Sequence, residues 1–266
     1  MARRSPAHRP TTVYARPVKT RTRRPSRLRR LLVVCAVLAI LALLARAYLL
    51  QVYAPGLEAE ARTVPGLVQG QLAAQGATYV PLAAISPDLQ HAIVAIEDRR
   101  FYEHPGIDPL GIARALWVNL RNDHLDQGGS TLEQQLVKRA IVREDSSLHD
   151  KLRTMALAWA VDQDFPKWKV LELYLNAAYY GQGAYGPGAA ARAYFGTDAL
   201  HLTLAQAAFL AALPQAPSIY GAHPTSATVI DRQHRVLQDM RDQGYISGAQ
   251  EAEALNTRLA FALPNA

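Results

Sequence analysis

The chain of 266 residues has one cysteine, Cys35, so neither a disulfide framework nor thiol catalysis is available to the rest of it. Acidic residues are missing from positions 1–30, which carry eleven Lys and Arg. Residues 31–266 then hold 18 basic against 22 acidic side chains, so the formal net charge of +7 belongs to the tail alone. That distribution argues against a nucleic-acid-binding body, which needs its cations on a folded face. No stretch alternates apolar and polar residues for long, which excludes an extended sheet. His and acidic residues show no metal-ligand spacing, so no zinc site is expected. No internal repeat is present.

The basic tail, 1–30, abuts the apolar run Leu31–Ala45, broken by Arg46 and resumed at Ala47–Leu50. About 20 helical residues cross a bilayer, and 31–52 reaches that length if Arg46 snorkels to the interface. A cleaved leader is the alternative, but Ala45-Arg46-Ala47 is a poor cleavage site after so long a basic region. An uncleaved anchor is expected, with the N-terminus cytoplasmic, the body outside and the tail on anionic head groups.

Residues 53–85 are rich in Gly, Ala and Gln and read as a connector, with a short strand around Thr78–Leu82. From 86 to 260 helix signals crowd together, giving a mainly α domain. Ser86-Pro87 and Asp108-Pro109 are N-cap-and-proline starts. Ser130-x-x-Glu133, Thr203-x-x-Gln206 and Ser247-x-x-Gln250 have the form of capping boxes. The segment Gly181–Gly188, with four glycines, breaks the pattern and is either a long helix connection or a loop lining a site. Trp117 and Trp159 sit at core spacings.

Glu97 follows Leu89 and Ile93 at helical intervals, which places it on the edge of an apolar stripe. A carboxylate so placed is harder to ionise and suits proton abstraction. Equally, it fits a last-turn Glu paired with Arg99 or Arg100. Asp98, Arg99 and Arg100 are expected to turn toward solvent, Glu103 to be solvated, and His104 to close a turn at Gly106. In Gly129-Ser130-Thr131-x-x-Gln134-Gln135-x-x-Lys138, Thr131, Gln135 and Lys138 share one helix face and Leu132, Leu136 and Ala140 another. A glycine pair before a helix start, with amides and a lysine beside it, suits a phosphorylated or sugar ligand, though a solvated face reads the same way.

Taken in order, these pieces resemble the peptidoglycan glycosyltransferases of glycosyltransferase family 51. The resemblance runs from about Pro81 to Ile246. It rests on Glu97-Asp98-x-x-Phe101-x-x-His104-x-Gly106, on Gly129–Lys138, on Lys167-x-x-Val170-Leu171-Glu172-x-Tyr174-Leu175-Asn176 with Gly181 and Tyr194-Phe195-Gly196, and on Leu202–Ala208 with Leu213–Pro217. No Ser-x-x-Lys or KTG arrangement for a transpeptidase is present. The resemblance implies a lysozyme-like helical lobe, a small membrane-proximal jaw lobe, and a monofunctional enzyme anchored in the bacterial inner membrane. It further implies inverting glycosyl transfer from a polyprenyl-diphosphate donor to the 4-hydroxyl of lipid II, extending a glycan chain. Glu97 would be the general base. The substrate contacts it implies are Asp98, Phe101, His104, Gly129, Ser130, Thr131, Gln134, Gln135, Lys138, Glu172 and Asn176. The one cofactor it would bring is a divalent cation, magnesium or manganese, at the diphosphate; the partners are lipid II, the membrane and cell-wall synthesis proteins.

The chain departs from the family at an expected Arg-Lys-x-x-Glu, where it reads Asp150-Lys151-Leu152-Arg153-Thr154, and at an expected arginine that falls on Ser146. Arg143, Lys151 and Arg153 are candidate cationic replacements, and Asp150, a turn before Thr154, is the nearest candidate for the lost carboxylate. Loss of one positioned electrostatic group costs on the order of 10²–10³ in rate. A precursor-binding scaffold without turnover is therefore the alternative function, and a glycan hydrolase a third.

Overall fold

The computed structural model describes residues 54–114, 129–142 and 147–262, together with Ala36, Val37, Ile40 and Leu44. The chain divides into two compact units, Met1–Tyr48 and Leu49–Ala266. In the first, the four described residues are helical and exposed. Among the described residues no helix is long and apolar enough to cross a membrane; the basic tail and nearly all of the 31–52 segment lie outside them, as do Trp117, Arg143 and Ser146.

The second unit is mainly helical. Residues 53–85, expected to be a connector, instead begin with α1 (Ala54–Ala61) and α2 (Val64–Ala74). Pro65 opens α2 in the first turn, and Val64, Val68 and Leu72 bury one side of it at four-residue intervals. α1 packs on α5 (Leu148–Asp164), with Arg62 bonded to Asp164 at 3.2 Å across the contact.

The expected strand at 78–82 does not form: 78–81 belong to no regular element, and Leu82 opens a short 3₁₀ turn, Leu82–Ala84. The partners of this segment are side chains of α6 (Lys167–Ala177): Asn176 Oδ1 accepts from Val80 N at 2.8 Å and Asn176 Nδ2 donates to Val80 O at 2.8 Å. Glu172 accepts from Leu82 N at 2.7 Å, from the Tyr79 hydroxyl at 2.6 Å, and from Lys169. The N–H and C=O of Val80 and the N–H of Leu82, which a ladder would have satisfied, are thus met by side chains.

α3 (Pro87–Glu97) starts at Pro87, as the sequence predicts, and buries Leu89, Ala92, Ile93, Val94 and Ala95 against α8 (Leu204–Ala212) and α10 (Ala227–Asp242). α4 (Leu132–Val137) passes into a wider, π-type turn at Lys138–Val142. Gln71 of α2 reaches the carbonyls of Arg139 and Ala140 in that turn, each at 3.3 Å. α7 (Gly186–Phe195), α11 (Gly248–Asn256) and the short α9 (Pro217–Ala222) are further helices of this unit. The boxes at Thr203–Gln206 and Ser247–Gln250 form as predicted. The one at Ser130–Glu133 does not. Thr131 caps α4 with Gln134, because its hydroxyl also donates to Gly106 O at 2.7 Å and is anchored there.

Candidate active site

Helix α3 stops at Glu97. Asp98, at φ −152°, leaves the helical path and points inward, so the expectation that it turns to solvent fails where the helix ends. Its carboxylate lies 3.0 Å from His104 Nε2 through either oxygen and accepts from Leu132 N at 3.0 Å. Asp98 therefore satisfies an orphan amide at the start of α4 and ties that start to the end of α3. Gly106, at φ +77°, lets the intervening loop lie against α5; a β-carbon there would come within 2.5 Å of Ala158 O.

Glu97 itself is enclosed, its side chain only 12% exposed. Gln135 Nε2 donates to Oε2 at 2.8 Å, and Arg232 of α10 stands 3.6 Å from Oε1, which has no hydrogen-bond partner. The alternative pairing with Arg99 or Arg100 is not found: Arg100 pairs with Glu103 at 3.0 Å and with Asp108 at 3.5 Å.

Glu97 lines a cleft of about 2040 Å³ together with Lys138, Gln134, Gln135, Ser130 and Lys151. That exceeds the ~300–1,000 Å³ of ordinary small-molecule sites and suits an extended ligand. Among the described residues, seven Lys and Arg side chains and five Asp and Glu line it, a local cationic excess on a body whose formal charge is about −4. Such a cleft concentrates anions. The glycine segment lines it too. Tyr179 and Tyr185 form an antiparallel bridge across the turn, and their rings stack at 4.6 Å in the cleft wall.

A second cluster lies beneath. Glu133, in the first turn of α4, is fully buried, and Lys167, which opens α6, donates to it at 2.6 Å and to His104 O at 2.7 Å. Lys167 also pairs with Asp162 at 2.6 Å and stands 4.7 Å over the Phe101 ring. Burial pushes the Glu133 carboxyl up, while Lys167 pulls it back. Burial works against a charge on His104, but Asp98, with Glu133, outweighs it and holds the imidazole above its ordinary range. Asp98, His104 and Glu133 bring ligand atoms within 4.8 Å of one another. Lys167 already meets the charge of Glu133, and Asp98 is engaged by His104 and Leu132 N, so this cluster reads as an internal ion network.

Of the residues singled out in the sequence, Glu97, Asp98, Gly129, Ser130, Thr131, Gln134, Gln135, Lys138 and Lys151 line this same cleft. Phe101 and His104 are buried in the supporting network, and Glu172 and Asn176 hold the 78–82 segment. Arg153 faces Glu60 of α1, away from the cleft. Asp150 is engaged as the third helical residue of a capping box with Ser147, so it does not stand in for the missing carboxylate. Thr154 does line the cleft, buried, its hydroxyl without a partner. Where the family would bring a cation, Lys138, Lys151 and Thr154 offer two ammonium groups and a hydroxyl. This set repels a dication and attracts a diphosphate, so it does not fit a metal. Sequence reasoning missed Arg139, Arg232 and Arg235; the signal for the last two was a pair of arginines three apart on one face of α10.

A family model described as Transglycosylase matches residues 66–241. Penicillin-binding protein 1A of Aquifex aeolicus is 41% identical over 219 residues, covering 82% of this chain and 30% of that protein. Penicillin-binding protein 1A of Escherichia coli is 41% identical over 194 residues, 70% of this chain and 23% of that protein. A 2.6 Å crystal structure of penicillin-binding protein 1A from Haemophilus influenzae is 24% identical, covers 70% of this chain and 18% of that one, and superposes with a TM-score of 0.41. The chain thus spans less than a third of the length of these relatives.

Proposed function

Since the chain belongs to the Transglycosylase family, we propose that it polymerises lipid II into peptidoglycan strands, with Glu97 as the general base. The observation that carries this reading is the cleft itself: an enclosed carboxylate lines the same groove as Lys138 and Lys151, and among the described residues that groove has more cationic than anionic side chains. In the reaction, Glu97 takes the proton from the 4-hydroxyl of the acceptor sugar. The oxygen so activated attacks the anomeric carbon of the donor from the face opposite its diphosphate, and the carbon–oxygen bond to the diphosphate breaks with inversion. Lys138 and Lys151 meet the charge that builds on the departing diphosphate. No step needs a metal. Ser130, exposed at the start of α4, and Gln134 contact the donor sugars, and the stacked Tyr179 and Tyr185 offer a flat apolar wall to a pyranose ring.

In this reading, residues 31–52 anchor the protein in the inner membrane with the body outside, and the helical body forms the lysozyme-like lobe with a jaw lobe toward the bilayer. Val37, Ile40 and Leu44, exposed at helical spacing, suit a lipid-facing surface. A shared bilayer confines enzyme and both lipid-linked reactants, which raises their effective concentration. A second reading, precursor binding without turnover, is favoured by one observation, Thr154 with its unpartnered hydroxyl in the cleft wall. The test is polymerisation of lipid II by detergent-solubilised full-length protein, scored as glycan chain length. Turnover by the wild type supports the enzyme; binding of lipid II with no polymer supports the scaffold.

A further inference from the structure

The amide that holds Glu97 is itself held. Gln135 Oε1 accepts from the Tyr174 hydroxyl at 3.2 Å and from Arg139 Nη2 at 3.3 Å, which leaves the NH₂ end to face Glu97. Turned over, the amide would set its oxygen against the carboxylate and its NH₂ against the guanidinium, like against like at both ends. Neither donor loses its proton near neutral pH. Arg139 stays charged and has no acceptor, and burial drives the Tyr174 phenol far above its ordinary range. Their places are fixed as well: Arg139 stacks 4.5 Å over the Tyr174 ring, and Gln71 binds the carbonyls of its turn. The ring of Tyr174 is fully buried.

We propose that Tyr174 and Arg139 are positioning residues for the base: they lock the Gln135 amide in the one orientation that donates to Glu97. The lock fixes the carboxylate in place and keeps a donor on its Oε2. Among the described residues, the charged and titratable groups around Glu97 are Arg139 beyond α4, Tyr174 on α6 with Tyr180 behind it, and Arg232 on α10. Asp98, its chain neighbour, is turned away onto His104. Removing the Tyr174 hydroxyl therefore leaves Arg139 as the one remaining donor to Gln135 Oε1, while Arg232 still stands beside the carboxylate.

The inference rests on Glu97 being the base, and the experiment separates the two ideas. Full-length protein in detergent is assayed on lipid II across pH for wild type, Tyr174→Phe, Arg139→Lys, Gln135→Ala and Tyr174→Phe/Gln135→Ala. The Glu97 carboxyl is titrated in parallel by ¹³C NMR, assigned with Glu97→Gln. Loss of one hydrogen bond predicts a fall in kcat of about tenfold at neutral pH with KM little changed. The acid limb of the rate profile and the NMR midpoint of Glu97 should both move to higher pH in Tyr174→Phe and in Arg139→Lys. In the Gln135→Ala background Tyr174→Phe should add nothing. An NMR midpoint unmoved in both single variants, or a Tyr174→Phe effect that persists in full without Gln135, overturns the lock. A wild type that makes no polymer overturns the enzymatic reading alone, because the NMR titration still decides the lock.

Discussion

Lys167→Met is the substitution whose cost the structure defines best. The ammonium donates to Glu133 and His104 O, pairs with Asp162 and stands over the Phe101 ring. At an effective dielectric of about 20, each carboxylate contact at this range is worth roughly 6 kcal/mol before desolvation. Most of that offsets the cost of bringing the charges out of water. What remains is the penalty for leaving a carboxylate without its partner, about 3–5 kcal/mol for a buried pair. Glu133 carries the larger part, being fully buried, and Asp162 retains some access to water. Methionine keeps most of the stem and removes the ammonium, its charge and the hydrogen bonds it donates. Against a domain stability of ~5–15 kcal/mol, the loss is a large fraction of the whole. Without Lys167 the Glu133 carboxyl rises further, and a raised folded-state value gives stability that is full at low pH and lost as pH rises through it. The deficit should therefore be greater at pH 8 than at pH 5. Urea unfolding of the detergent-solubilised protein, followed by circular dichroism at both pH values, measures it. Adding Glu133→Gln should recover part of the loss at pH 8. A cost below about 1 kcal/mol, with no pH dependence, would refute the view that Lys167 neutralises a buried carboxylate.

Further outcomes follow from the same geometry. Burial opposes ionisation of Glu172, but Lys169, Tyr79 and Leu82 N together hold its carboxyl below the ordinary range. The stability it contributes is present above the unfolded value of ~4.3 and lost as pH falls through the folded one, a slope that Glu172→Gln should flatten in acid titrations followed by tryptophan fluorescence. His104 is held above the ordinary range, so its contribution is full below ~6.5 and disappears as pH rises through the folded value. Unfolding midpoints should thus decline across that interval in the wild type and decline less in His104→Asn. Lys138→Ala should lower the polymerisation rate by about 10²–10³, with little change in the thermal midpoint, since Lys138 is exposed in the cleft wall.

How far the sequence could be read depended on where each signal came from. The start of α3 at Pro87 and the placing of Glu97 beside its buried stripe are local, and periodicity carried both. Asp98 was misplaced because helical extrapolation has no force past the last helical residue. The helices at 54–74 were hidden by their composition: Gly66, Gly70 and several Ala and Gln dilute the Val64, Val68, Leu72 spacing. Ser130 and Thr131 each head a valid capping-box pattern, and only a tertiary bond to Gly106 O chooses between them. Arg232 is 135 residues from Glu97 in the chain, and their approach is a product of how α3 and α10 pack. Asn176 and Glu172 fell within a matched motif, yet their work is to stand in for a missing strand, which residue types alone do not reveal.

The account stands most directly on Glu97→Gln. The change keeps the side chain's shape and its place beside Gln135 and Arg232 but removes the carboxylate proposed to accept the proton. With purified full-length protein and lipid II, it predicts elongation by the wild type and a fall of about 10²–10⁴ in the variant, with lipid II still bound and the fold unchanged. Polymerisation by Glu97→Gln at the wild-type rate would contradict it.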